Sequence, residues 1–178
     1  MAKLWTIADT HFNHRNLVVS GVRKQNYEAD IITNWARLVA PEDTVIHLGD
    51  VIFSRVSELA GILSSLPGTK ILVRGNHDFE KDSWYEKKGF SLVTYTYIKE
   101  YKLEDVLYSH EPDLSKWGDW GPSVNIHGHL HSGDHRLAPL MEIPEFVKRR
   151  EAGYYRLVNI DQILAPQLVE DVLSGPAL

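Results

Sequence analysis

Short apolar strands alternate with helical stripes over the first half of the chain, and this alternation predicts an α/β fold. Two further observations support that class. Each early strand ends in a cluster of polar residues, the place where open α/β sheets gather ligands. The composition is 43% hydrophobic, 24% charged and 10% aromatic, that of a globular protein with a sizeable core.

Residues 3–9 (KLWTIAD) read as a strand that ends in a carboxylate. Over residues 28–39, Ile31, Ile32, Trp35, Leu38 and Val39 recur at helical spacing and form one apolar stripe. Pro41-Glu42-Asp43 breaks that helix and opens a strand at 44–48, which runs into Gly49-Asp50. A helix is predicted over 57–66, with Ser57 as its N-cap and Pro67-Gly68 closing it. The strand at 70–74 then delivers Gly75-Asn76-His77-Asp78.

The pattern changes after residue 92. Residues 92–101 and 103–109 are rich in Val, Tyr, Thr and Ile and read as a hairpin or successive strands turning at Glu100-Tyr101-Lys102. A loop rich in Pro, Trp and Gly follows at 111–122, then a short strand into His127-Gly128-His129-Leu130-His131. Residues 154–160 are expected to form the last strand and 167–173 a terminal helix. Residues 139–150 read either as a surface helix or as an ordered excursion, and Lys148-Arg149-Arg150 as a solvated face. No internal repeat, low-complexity tract or linker interrupts the chain, so residues 1–178 are expected to be one domain.

Several function classes are excluded. Without cysteine there is no disulfide framework, thiolate zinc site or cysteine nucleophile. A net charge of −5 argues against a domain that holds a long polyanion by bulk attraction. No apolar run approaches the roughly 20 residues of a membrane span, and the first nine residues lack the apolar segment of a secretory signal. A cytoplasmic protein is therefore expected.

Nine histidines stand out against this background. Five of them, His11, His77, His110, His129 and His131, fall in polar strand-end motifs with Asp9, Asp50, Asn76 and Asp78. Imidazole and carboxylate without thiolate suit manganese, iron, zinc, nickel or cobalt rather than a soft metal. Residues i and i+2 of a regular strand share a face, which is compatible with Asp9 and His11 addressing one cavity. Gly49, Gly75 and Gly128 fit places where the chain turns sharply or passes close to another group.

The ordered series D-x-H, G-D, G-N-H-D, H and G-H-x-H, from Asp9 to His131, resembles the calcineurin-like metallophosphoesterase superfamily. The fragments DTHFNH, SHEP and HGHLH look most like its small bacterial and phage members. The resemblance implies a four-layer α/β/β/α sandwich with two mixed sheets. It implies two divalent ions, manganese first, with iron, zinc, nickel, cobalt or magnesium as alternatives. Asp9, His11, Asp50 and His131 would hold one ion, and Asp50, Asn76, His110 and His129 the other, with Asp50 bridging. A metal-bridging hydroxide would attack phosphorus, and His77 would stand near the leaving-group oxygen with Asp78 holding its imidazole.

Other residues invite plainer readings. His47 and His127 precede their motifs and are expected in the core or behind the ligands. His14 either faces the site or is exposed, and His135 is expected on a loop. Arg15, Arg55 and Arg136 follow motif blocks and could bind phosphate, but an ordinary surface arginine is the preferred reading of each. Trp117 and Trp120 could stack on a base or cover the core from outside. Tyr95, Tyr97 and Tyr101 read as strand packing.

The expected activity is hydrolysis of small phosphodiesters or nucleotide-like esters, with phosphomonoesters as the near alternative. Nucleic acid is a less favoured substrate. A non-catalytic scaffold on the same fold, as in retromer-type relatives, is the competing reading; such scaffolds show gaps in the ligand set, and here every expected ligand is present. Residues 139–153 depart from the small relatives and are expected to form a lid or an interface.

Overall fold

The computed structural model describes residues 1–53, 58–118, 120–131 and 135–178. Ser57 and Arg55, the expected N-cap and a candidate phosphate ligand, lie outside these residues. The first half contributes β1 (Leu4–Ile7), α1 (Arg15–Val19), α2 (Tyr27–Leu38), β2 (Thr44–His47), α3 (Glu58–Ser65), β3 (Thr69–Val73), α4 (Asp82–Glu86) and β4 (Phe90–Thr94). The second half adds β5 (Thr96–Tyr101), β6 (Glu104–Ser109), β7 (Val124–His127), α5 (Leu137–Leu140) and α6 (Pro144–Glu151). It closes with β8 (Tyr155–Leu157), α7 (Ile160–Ile163), β9 (Gln167–Leu168) and α8 (Val169–Ser174).

Two mixed sheets result. In the first, ordered β4-β3-β2-β1-β9, the first four strands are parallel and β9 joins β1 antiparallel. In the second, ordered β5-β6-β7-β8, only the β5–β6 pair is antiparallel. The period-2 alternation of each strand sorts its side chains between two cores. Trp5, Ile7, Val45 and Leu72 pack with Ile31 and Trp35 of α2 and Leu63 of α3. Ala8, Ile46, Leu48 and Val73 point the other way and meet Val106, Tyr108, Val124 and Ile126 of the second sheet. A largely parallel sheet covered on both faces explains why these strands read as nearly continuous apolar runs. On the outer face of the second sheet, the buried ring of Phe146 in α6 stacks on Tyr155 at 4.9 Å. Helices outside two face-to-face sheets make the expected four-layer sandwich.

Three expectations about the second half need correction. The continuous stretch 92–101 divides at Tyr95, so that β4 extends the first sheet while β5 begins the second. Its uniform β-branched and aromatic composition hid the break, because both pieces suit strands equally well. The chain turns one position later than expected, with Lys102 and Leu103 at φ of 50° and 71°, left-handed values that favour a two-residue hairpin. Residues 167–173 are not all helix, because Gln167 and Leu168 first pair with β1.

Of the two readings of residues 139–150 the surface helix holds, as α6, and it is packed down rather than free as a lid, with Arg149 engaged instead of lying on a solvated face. Arg149 of α6 donates to the Asp113 side chain and to the carbonyls of Asp113 and Ser115, fastening the helix against the loop after β6. Trp117 donates to the same Asp113 carboxylate at 2.6 Å, so it covers the fold from outside rather than facing the motif residues. Trp120 is 97% exposed.

Phe146→Ala should therefore cost about 3–5 kcal/mol of folding free energy, read as a shift of the urea midpoint. A pH dependence follows from His47, which burial pushes from 6.5 down to about 3. Its folded pKa lies below its unfolded value, so its contribution is complete above pH 6.5 and is lost as the pH falls toward 3. The stability slope over that range should flatten by up to about 1.4 kcal/mol per pH unit in His47→Gln.

Candidate metal centre

The motif residues converge where the C-terminal ends of β1, β2, β3, β6 and β7 meet between the sheets. Their backbone is unusual. Asp9, His11, Asp50 and His129 all have positive φ, between 46° and 64°. Such values are uncommon outside glycine and concentrate where surrounding structure enforces them. Close approach of the loops is made possible by glycine. A Cβ at Gly75 would overlap the Asp50 carboxylate, and one at Gly128 would lie 2.6 Å from Asp9 Oδ2.

Two groups of donors emerge from this geometry. Asp9, His11 and His131 present ligand-type atoms within 4.8 Å of one another, as do Asp9, Asp50 and His110. Asp9 Oδ2 accepts from the His129 amide at 2.9 Å, whereas buried Oδ1 has no hydrogen-bond partner and faces His11 Nε2 and His131 Nε2, each at 3.9 Å. A buried carboxylate oxygen without a donor is costly. Asp50 Oδ1 accepts from the His77 amide at 2.8 Å, and Oδ2 stands 3.6 Å from both His11 Nε2 and His110 Nε2.

Hydrogen bonds fix which nitrogen of two of these rings is committed away from the site. His110 Nδ1 lies 2.7 Å from the Leu48 carbonyl and must donate to it, which directs the other nitrogen, Nε2, into the site. That lone pair faces Asn76 Oδ1 at 2.9 Å, two acceptors that a cation between them reconciles. His129 Nδ1 also lies 2.9 Å from His110 Nε2. His131 Nδ1 is held by the Asp161 carboxylate at 2.7 Å, again directing Nε2 inward. The donor chemistry and the orphaned Asp9 oxygen thus fit a divalent ion, and Asn76, His110 and His129 gather as the expected second donor group.

Electrostatics point the same way. Burial raises the Asp9 carboxyl to about 6, and only the nearby histidines and the His129 amide hold it back. Burial also drives His11 far below its usual range, reinforced by Arg23 and the neighbouring histidines, so its ring is neutral and able to ligate.

His77 differs from the other four motif histidines. Its side chain is 35% exposed, against 4–20% for His11, His110, His129 and His131, and its Nε2 lies 4.0 Å from Asp50 Oδ2. It faces the cleft. The expected pairing of His77 with Asp78 is not formed. Asp78 Oδ2 accepts from the amides of Asp50 and Gly75, each at 2.8 Å, and Oδ1 from the Val51 amide at 3.1 Å and the Tyr85 hydroxyl at 3.2 Å. Adjacency in sequence suggested an orienting role; the carboxylate instead binds loop backbone.

Among the remaining histidines, His47 is buried behind the site. The Thr10 hydroxyl donates to the Val51 carbonyl, so His47 Nε2 donates to that hydroxyl at 3.0 Å. His127 is likewise fully buried. His14 reaches the rim, its ring stacked face to face on Phe53 at 3.8 Å. The Arg136 guanidinium comes within 3.2 Å of His129 Nε2, at the site rather than on a remote surface, while Arg15 is exposed beside His14.

Arg23 and Asp161 were missed by sequence reasoning. Buried Arg23 donates to the carbonyls of Asp9 and Thr10 and pairs with Asp161 at 2.9 Å. Asp161 in turn holds His131, although the two lie 30 positions apart and no motif joins them. A lone buried-charge pair inside otherwise ordinary segments offers no local signal. Because carboxylate partners of ligating histidines typically matter 10–100-fold, Asp161→Asn should weaken metal affinity by about that factor in a calorimetric titration, with little change in secondary structure.

Residues 2–173 match the calcineurin-like phosphoesterase family. An uncharacterized protein of Methanocaldococcus jannaschii is 30% identical over 92% of this chain and 90% of its own length. The gene 66 protein of Mycobacterium phage L5 is 26% identical, covering 92% and 93% of the two chains. The crystal structure of a protein of unknown function from Aquifex aeolicus superposes with a TM-score of 0.74 over 97% of this chain and 98% of that one, at 27% identity. With the family match spanning nearly all its residues and the family's metal-type donors gathered at its strand ends, this chain belongs to the calcineurin-like phosphoesterases.

Proposed function

We propose that the protein is a dinuclear, metal-dependent phosphoester hydrolase acting on phosphodiesters or nucleotide-like esters. The observation that carries this reading is the position of Asp50 Oδ2, equidistant at 3.6 Å from an imidazole of each donor group. One carboxylate so placed can be shared by two cations, offsetting their repulsion at the roughly 3.5–4 Å separation of two-metal sites. Asp9, His11, Asp50 and His131 would hold one ion and Asp50, Asn76, His110 and His129 the other. Bound divalent ions, manganese first among them, would supply a water acidified toward neutral pH and positive charge for the phosphoryl oxygens.

The protein groups do the rest. Asp161 and the Leu48 carbonyl hold the rings of His131 and His110 in register. His77, free to face the cleft, donates a proton or a hydrogen bond to the leaving oxygen. Asp78 keeps the His77 loop against that of Asp50. A lean toward diesters is supported by three hollows around the site, of about 200, 420 and 360 Å³, beside His77, His14 and Asn76 respectively. They leave room for substituents on more than one side of the phosphorus.

A panel of aryl phosphate, bis-aryl phosphate, cyclic nucleotides and short DNA, each with Mn, Ni, Zn or Mg, tests the activity. Bis-aryl phosphate and cyclic nucleotides are expected to be cleaved fastest; preference for the monoester would make the protein a phosphatase, and no hydrolysis under any condition would favour a scaffold. Asp50→Asn should lower both metal content and turnover. His77→Ala should cut turnover about 10²–10⁴-fold while metal content stays near wild type, and loss of both together would make His77 a ligand.

A further inference from the structure

Beside His77 lies a hollow of about 200 Å³ lined by Ile52, Phe53, His77, Phe79, Glu80 and Trp84, together with Tyr85. Phe53 and Phe79 are not core residues. They are 43% and 74% exposed, yet they flank the His77 ring at 5.1 Å and 5.9 Å between centroids, Phe79 edge-on at 89°. Phe53 is covered on one face by His14, whereas leaving Phe79 in water has a hydrophobic cost that the fold does not require, and aromatic surface beside convergent polar groups is the usual make-up of a ligand site.

Size and charge narrow the occupant. Pockets for whole drug-sized ligands run to about 300–1,000 Å³. A hollow of about 200 Å³ is on the scale of one ring system, not of a ligand complete with its phosphate. The phosphate belongs with the metal donors across His77. Glu80 is the one carboxylate among the described residues lining the hollow, and its charge disfavours a second anionic group there.

We infer that this hollow is a nucleobase subsite, with Phe79 as its stacking wall, Phe53 beside it and His77 as the boundary between base and phosphorus. The inference rests on the phosphoesterase reading and deepens it by naming the substrate as a nucleotide ester. Every base has a π-face, so stacking against phenyl rings accepts purines and pyrimidines alike. The two tryptophans of the loop after β6 do not serve this purpose, since Trp117 is engaged on the outer side of the second sheet.

The test measures binding without requiring turnover. Affinities of AMP and ribose 5-phosphate for the manganese-loaded protein are compared by calorimetry, with wild type, Phe79→Ala and Phe79→Tyr. AMP should bind about tenfold or more tightly than ribose 5-phosphate, the preference that stacking of one base supports. That preference should fall below about threefold in Phe79→Ala and survive in Phe79→Tyr; the exposure of Phe79 lets the truncation leave the fold intact, which circular dichroism checks. Equal affinities, no measurable binding of either compound, or a preference that persists in Phe79→Ala would overturn the subsite. Hydrolysis of bis(p-nitrophenyl) phosphate is measured in parallel. If it proceeds without any base preference, the subsite alone falls; if it fails with Mn, Ni, Zn and Mg alike, the phosphoesterase reading falls and the subsite with it.

Discussion

The Asp78 carboxylate is the fastening on which the site depends. It accepts hydrogen bonds from the amides of Gly75, Asp50 and Val51 and from the Tyr85 hydroxyl, so a single buried side chain ties the loop after β3 to the loop after β2 and to α4. Asp50 can then hold its left-handed backbone while its own carboxylate accepts a hydrogen bond from the His77 amide. The two loops clasp each other reciprocally. Bonds from backbone N–H groups to a carboxylate are stronger than neutral ones, and burial keeps water from competing for them. The loop after β2 is also tied to the loop after β1, since the Asp50 and Val51 carbonyls accept from the His11 and Phe12 amides, but the Asp78 carboxylate is what joins it to the loop after β3.

Behind that clasp, histidine geometry is set by partners that are not themselves donors. The Leu48 carbonyl and the Asp161 carboxylate each occupy one nitrogen of a ring and commit the other to the cleft. His47 instead holds loop backbone, through the Thr10 hydroxyl to the Val51 carbonyl. A neutral imidazole has one donor and one acceptor, so such commitments decide ligation before any ion arrives.

Legibility in the sequence followed the range of the interactions. The first three strands and α2 were readable because period-2 and period-3.6 burial operate within a few residues, and the positions of Gly75 and Gly128 marked the close approaches. The candidate ligands were readable because five short blocks, each weak alone, follow one another in the order of the family they resemble. The break at Tyr95 was not, since residues on both sides favour strands and only tertiary packing assigns them to different sheets. The role of Asp78 was misread for a related reason: its neighbour in sequence is not its partner in space. Arg23 and Asp161 were invisible because 138 positions separate them.

That separation has a consequence for how the protein is assembled. On a ribosome, the strands bearing Asp9, Asp50 and Asn76 emerge long before α7 delivers Asp161 and β9 seals the free edge of β1. Until then Arg23 is a cation without its carboxylate, and the His131 ring lacks the Asp161 contact that turns it. Loop-closure entropy must be met before this distant contact can repay it. A nascent chain therefore carries most of the candidate donors before Asp161 can align the His131 ring, so the final geometry of the site waits on the C-terminal part of the fold rather than on synthesis of the motifs themselves.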